Sequence, residues 1–471
     1  MKIKRVLMVA VVCVFVAGVV NVNAAALRDS VAQTPWTVNV IDEDKPGVIN
    51  LSSAFVGNNE VPMMSWGELG ADYIYRSHLT PDGNGNCGPD NAWECLSALA
   101  PSLVDGTISN LATEVFINSH ILRWVFQSGT KLRGVSIEQD DNLDYLTSSN
   151  EDLVDLSKFG GVLVGAPSLI SDGLRYQMAF TVREPGGGDF PLYQLVYLHY
   201  SGTLNDTCLD NSRYECDVIE QVYGPNAIGA PSFQQALDDN LGMAYYKSGT
   251  LRYAYPWTTM PFRPSNCGPG GDSWRCIDIV KPGVGPLGTK VALGFGSSRT
   301  AAGIVFTQKP TTEYDLMRAI YVGSGGDCGA DGITPSLTLQ YRWVCSVEVA
   351  SVEDSNLTAF SIAFDPDDYP VIAYNNQFDG DAAQKLFVAY SDARIGGGSG
   401  WHHYVVDGND YSTTGLLNDL AINQSGLGFI GYMQPKFKAC GEIFCFPDTT
   451  PNLKAALQLP VKYIYLPLIV K

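Results

Sequence analysis

The sequence predicts an all-β fold: a seven-bladed β-propeller of four-stranded antiparallel blades, its ring closed by an N-terminal strand that completes the last blade. Three observations lead there. A meander pattern recurs roughly every 60 residues along nearly the whole chain. One copy cannot bury both faces of its own sheet, whereas several copies around an axis can. The earliest strand-like segment, Trp36 to Asp42, also has the form of the piece that the last copy lacks. No long stretch carries helical periodicity with caps, so helices are expected to be few.

The unit is clearest from Ser232 to Val280. Apolar and aromatic runs (Phe233 to Leu237, Met243 to Tyr246, Leu251 to Tyr255, Trp274 to Ile279) are separated by Asp239-Asn240, Ser248-Gly249 and a long Gly/Pro/Asn loop, residues that turn a chain. The first two strands and their turn repeat seven times, with turns at Gly57-Asn58-Asn59, Asn118-Ser119, Asp172-Gly173, Asp239-Asn240, Ser297-Ser298, Asp365 to Asp368 and Gln424 to Gly426. Third strands alternate at period two, as in Leu251-Arg252-Tyr253-Ala254-Tyr255 and Leu386-Phe387-Val388-Ala389-Tyr390, so each presents one face to each neighbour. A tandem of β-sandwiches would need units of about 100 residues, which the period does not provide.

Fourth strands open on an aromatic residue, with Trp93, Tyr214, Trp274 and Trp343 each two residues before a cysteine, and Trp401 where the cysteine is missing. The fourth strand of the second unit, near Asn142 to Ser148, is poorly marked. Blades are expected near 44–104, 105–160, 161–224, 225–284, 285–352, 353–412 and 413–460, the last completed by 36–42. Together they form a single propeller domain over 26–460, preceded by a signal peptide (1–25) and followed by an apolar tail (461–471).

The signal peptide is read from Lys2, Lys4 and Arg5, the apolar run Val6 to Val20, and the small residues around Ala24 to Ala26. Its removal would also remove Cys13 and change the formal charge from -19 to -22, which repels nucleic acid and anionic membranes. The remaining ten cysteines fall as sequence neighbours, Cys87/Cys95, Cys208/Cys216, Cys267/Cys276, Cys328/Cys345 and Cys440/Cys445, which on an exported chain read as five disulfides. Zinc would need Cys-x2-Cys or accompanying histidines, and neither occurs with these pairs. The tail, Val461 to Lys471, is too short to span a bilayer. It resembles the aromatic-Leu-Pro-Leu endings of some bacterial secreted surface proteins, which implies a bacterial source and a surface role.

The pattern Ala236-Leu237-Asp238-Asp239-Asn240-Leu241-Gly242-Met243-Ala244-Tyr245-Tyr246, with Leu251 to Ala254 and Trp274, resembles the blades of secreted bacterial β-propellers related to sialidase-like (BNR-type) repeat proteins. The resemblance implies the fold and not an activity. Ser-x-Asp-x-Gly-x-x-Trp turns are absent, and Pro261-Phe262-Arg263-Pro264, similar to an arginine-bearing sialidase motif, falls between strands three and four instead of where that motif belongs. No catalytic residue is carried over.

Other chemistry does not assemble either. The five histidines (His78, His120, His199, His402, His403) are scattered and read as surface or partly packed, and adjacent His402 and His403 would point to opposite faces of a strand. Asp365 to Asp368 and Gln139 to Asp144 do not match a calcium loop and read as Asp/Asn turns. No cofactor and no metal are expected. Propeller ligands meet the face where loops joining strands two to three surround the channel, and several of these are long: Arg183 to Leu192, Thr307 to Asp315, Asn375 to Lys385, and Gln434 to Asn452. Glu184, Asp189, Tyr314, Asp379 and Asp381 are the candidate binding residues on them.

The function read from sequence is a secreted or cell-surface binding module without catalysis, its partner an extracellular glycan or protein, with no transmembrane anchor on the mature chain. One alternative is a glycan-active hydrolase or lyase of propeller type, which requires two carboxyls about 5 to 10 Å apart at the channel mouth. The other is a structural component of an extracellular layer, suggested by the tail and the abundant tyrosines.

Overall fold

The computed structural model describes the chain from Trp36 to Gln458 apart from residues 43–47, 69–73, 98–108, 117–120, 186–189, 258–265, 280–286, 310–313, 332–339, 353–358, 377–383, 392–399, 409–413, 441–444, 448–451 and gaps of three residues or fewer. The signal peptide, the Pro261 to Pro264 motif and the tail lie outside the described residues. Seven four-stranded antiparallel sheets form a ring, the seven-bladed propeller expected from the sequence. Among the described residues the helical elements are two short 3-10 turns, Pro89–Asn91 and Leu156–Phe159, and no helix is long and apolar enough to cross a membrane.

The innermost strands, one per blade in chain order, are Val48–Val56, Ser109–Phe116, Ser168–Ser171, Ser232–Gln235, Leu287–Phe295, Phe360–Phe364 and Leu416–Ile422. Blade four continues outward through Leu241–Lys247, Thr250–Pro256 and Trp274–Asp278. Three inner hairpins close in the same way. Ala236, Asp365 and Asn423 each donate their N–H to the residue four ahead and accept from the residue three ahead, which sits at positive φ (Asp239 62°, Asp368 66°, Gly426 80°). Asp and Gly are tolerated there, which is why the sequence marks these turns so clearly. In blade two the poorly marked outer strand is Tyr145–Asp155, longer and later than its sequence suggested.

The ring closes where predicted. Trp36–Asp42 pairs antiparallel with Asn452–Gln458, Trp36 opposite Gln458 and Asp42 opposite Leu453, as the outer strand of blade seven. A Cβ on Gly428 would lie 2.5 Å from the Trp36 ring, so the glycine leaves space for that anchor.

The core is divided into wedges. Each buried apolar cluster lies between two adjacent blades, for instance Ile170, Leu195 and Tyr197 of blade three against Phe233, Met243 and Trp274 of blade four. Corresponding clusters fill the other interfaces, including Ile41, Phe429 and Leu453 of blade seven against Leu51, Trp66 and Trp93 of blade one. Tyr245, Tyr374, Tyr390 and Tyr432 are among the largest fully buried side chains, so many of the tyrosines serve the core.

Four disulfides form: Cys87–Cys95, Cys208–Cys216, Cys267–Cys276 and Cys328–Cys345, each in the connection between strands three and four. Cys440 and Cys445 oppose one another in backbone register across the hairpin of Phe437–Cys440 and Cys445–Pro447, and their side chains lie outside the described residues. The residue before the first cysteine secures the second: Asn86 and Asn266 each accept the N–H of Cys95 and Cys276 at 2.7 Å, while Asp327 and Thr207 accept those of Cys345 and Cys216 at 2.9 Å. The loop then binds the preceding blade, with Gly88, Gly268 and Gly329 donating to the carbonyls of Ile41, Ile219 and Ile279 at 3.2, 2.9 and 3.1 Å. These glycines sit at φ 72°, 90° and 68° against Trp93, Trp274 and Trp343, where a side chain would clash with the indole.

Two outcomes follow. Deleting residues through Asp42 uncovers one edge of blade seven and one side of its wedges, and the variant is expected to unfold without a cooperative transition in calorimetry. Replacing Cys267 and Cys276 by serine should cost about 2–4 kcal/mol in denaturant unfolding and speed amide exchange at Gly268, whose bond to Ile219 the bridge holds.

Candidate functional site

Each inner strand is the edge of its sheet and turns that edge to the axis, while its side chains alternate between the blades on either side. Seven such strands leave a central channel of about 360 Å³ lined by residues of all seven blades. The apolar part includes Leu51, Phe55, Phe295, Ile362 and Phe364. Asn50, Gln234, Lys290, Asn418 and Asp419 supply the polar part, and Asn50, Lys290 and Asn418 lie at or near the start of their strands, toward the mouth shared by the loops joining strands two to three.

Many of these polar groups are engaged between blades. Asn418 donates to the carbonyls of Ala359 and Gly415 at 2.9 Å and accepts from the Ser361 hydroxyl at 3.0 Å. Asn50 donates to the Leu111 carbonyl, Ser232 Oγ accepts Leu293 N–H at 3.0 Å, and Ser168 Oγ accepts Phe233 N–H at 2.9 Å. At the closing seam Asp419 Oδ2 accepts Ser53 N–H at 2.6 Å, while Ser53 Oγ accepts Gly431 N–H at 3.0 Å. Short side chains thus bond across from one inner strand to the next.

Two ionisable groups stand out. Asp419 is half-buried, and desolvation pushes its carboxyl up to about 7 despite the opposing backbone hydrogen bonds from Ser53 and Leu420. Lys290 is exposed, yet the surrounding wall withdraws enough water to hold its ammonium below the usual lysine range. Among the described residues lining the channel, Asp419 is the single carboxylate. A glycosidase needs an acid and a base or nucleophile as a pair, about 5 to 10 Å apart, and one carboxyl does not make that pair.

Of the candidate residues chosen from sequence, Glu184 is exposed and follows the second strand of blade three, Tyr176–Arg183. Tyr314 opens the third strand of blade five, Tyr314–Tyr321, half-buried against the core cluster between blades five and six, with Lys309 Nζ 5.1 Å from its ring centre. Blade four separates the two. Asp189, Asp379 and Asp381 lie outside the described residues. Asp419, Asn418, Lys290 and Gln234 escaped the sequence reading; its available signal was a polar residue inside an apolar first strand, as in Leu417-Asn418-Asp419-Leu420.

Of the histidines, His120 lies outside the described residues, while His78, His199 and His403 sit in structural contacts. His78 is 3 % exposed, a core histidine where a surface or partly packed one was expected; its ring lies 3.3 Å from Glu94, and burial together with Arg76 holds its pKa down to about 4. His403 Nδ1 is 2.8 Å from the Tyr374 hydroxyl, and burial lowers its pKa. The Asp365 carboxylate accepts the N–H groups of Asp367 and Tyr369 at 3.0 and 2.9 Å, a turn cap.

No known protein family matches the chain, and neither does any curated protein. Among solved structures it is similar to AofleA from Arthrobotrys oligospora (10% identity, 80% of this chain and 91% of that one, TM-score 0.40). It is also similar to an endo-arabinase from Bacteroides thetaiotaomicron (13%, 75% and 94%, 0.30) and to extracellular domains 1-2 of Drosophila Semaphorin 1b (10%, 90% and 88%, 0.37).

The Asp419 carboxyl has a definite sign in stability. Its folded pKa of about 7 lies above the ordinary 3.8, so the folded state holds the proton more tightly, and its contribution is full below about pH 4 and lost as pH rises through 7. Asn at this position keeps an acceptor for Ser53 N–H and carries no charge. Asp419→Asn is therefore expected to flatten the fall in melting temperature between pH 5 and 8, and to melt higher than the parent at pH 8; a parallel pair of melting curves would remove this account.

Proposed function

We propose that the protein is a secreted or surface-displayed propeller that binds an extracellular glycan or protein without catalysis, of the sialidase-related kind from which the catalytic set is missing. The observation that carries this reading is the channel itself, whose described residues offer amides, hydroxyls, one cation and one carboxylate for hydrogen bonds, with no acid and base pair among them. Four disulfides suit an oxidising compartment and are consistent with export. Glu184, Asp189, Tyr314, Asp379 and Asp381 remain the proposed ligand contacts from the loops, and the domain limits of 26–460 belong to the same proposal.

The test combines a glycan array and an extracellular-protein pull-down with an assay of reducing-sugar release from the same glycans. Binding without release is the expected outcome. Release abolished by Asp419→Asn or by changing Asp189, Asp379 or Asp381 would instead make the protein a hydrolase and end the binding-module reading.

A further inference from the structure

On the rim of blade three the rings of Phe190 and Tyr223 and the amide of Gln221 stand exposed, with Gln194 half-buried beside them. Its strands pair in register so that Glu184, Leu192 and Tyr223 form one rung, with Glu184 N–H donating to the Leu192 carbonyl at 3.0 Å, and Val182, Gln194 and Gln221 form the rung two residues on. Period-two alternation sets all six on one sheet face. The inner continuation of that face, Val182, Val196 and Leu198, is buried in the wedge against blade two. Its outer end is open: Tyr223 is 70 % exposed, Phe190, two residues before Leu192, is 68 % exposed, and Glu184 and Gln221 are exposed. A Cβ on Gly160 would lie 3.1 Å from the Glu184 backbone, so the glycine at φ 103° leaves that strand end clear.

We propose that this face is a binding platform for an uncharged saccharide, an inference that rests on the binding-module reading and assigns it a ligand class. The Tyr223 ring presents an electron-rich face that suits the apolar C–H face of a pyranose, for which the aromatic quadrupole provides the attraction. Gln194 and Gln221 offer paired amide donors and acceptors to vicinal hydroxyls, and Glu184 offers acceptor oxygens alone. Side chains on adjacent strands stand about 5 Å apart, so Glu184 to Tyr223 spans roughly 10 Å, the reach of a short saccharide. The Glu184 carboxylate and the net charge of -19 disfavour acidic sugars.

The experiment is affinity electrophoresis of the full chain in native gels containing dextran, laminarin, galactomannan or xylan. At least one polysaccharide is expected to retard the protein. Tyr223→Ala should weaken that retardation at least tenfold and Gln221→Ala at least threefold, while Tyr223→Trp retains it. Leu237→Ala, which removes a side chain 84 % exposed at an inner hairpin turn, should leave it unchanged. Melting temperatures matching the parent would show that the variants fold. Equal retardation of Tyr223→Ala and parent would overturn the platform and leave the binding module standing elsewhere on the ring. A parent retarded by none of the four would also overturn it, leaving a protein ligand for the module.

Discussion

Each blade is a small sheet that is apolar on both faces, and neither face can be covered by the blade itself. Everything else in the molecule depends on that constraint. A sheet of this kind needs a neighbour on each side, and a row of such sheets has uncovered ends unless it closes. The wedge of Ile41, Phe429 and Leu453 against Leu51, Trp66 and Trp93 joins the last blade to the first, and the pairing of Trp36–Asp42 with Asn452–Gln458 makes the closure part of a sheet. Closure is therefore both packed and hydrogen-bonded.

Polar interactions complete the interfaces at their two ends. Near the axis, serine, asparagine and aspartate side chains on one inner strand bond the next strand's backbone, as Ser232 does with Leu293 and Asp419 with Ser53. At the periphery the disulfide loops reach the outer strand of the preceding blade through Gly88, Gly268 and Gly329. Hydrophobic burial provides the non-directional attraction between blades, while these bonds fix how one blade is set against the next. The bridges thus brace contacts between blades as well as the hairpins that contain them.

The same division separates architecture from recognition. Groups facing the axis are largely committed to the ring, Asn418 through bonds to Ala359, Gly415 and Ser361. The blade-three rim carries Tyr223, Phe190 and Gln221, which are exposed and meet solvent. A rigid ring with uncommitted aromatic and amide groups at its margin is physically suited to binding, since little conformational entropy is lost when a ligand settles.

By itself the sequence determined the blades, their number, the closing strand and the turns at Asp239, Asp368 and Gly426, because period-two alternation and positive-φ turn residues are local properties. Four of the five neighbouring cysteine pairs form the bridges read from sequence, for the same reason. Only tertiary structure decided what lines the channel. Asp419 and Lys290 are inconspicuous in sequence, and their environment arises from seven strands far apart in the chain. The rung of Glu184, Leu192 and Tyr223 was likewise hidden, since register across three strands brings together residues that sequence distance keeps apart.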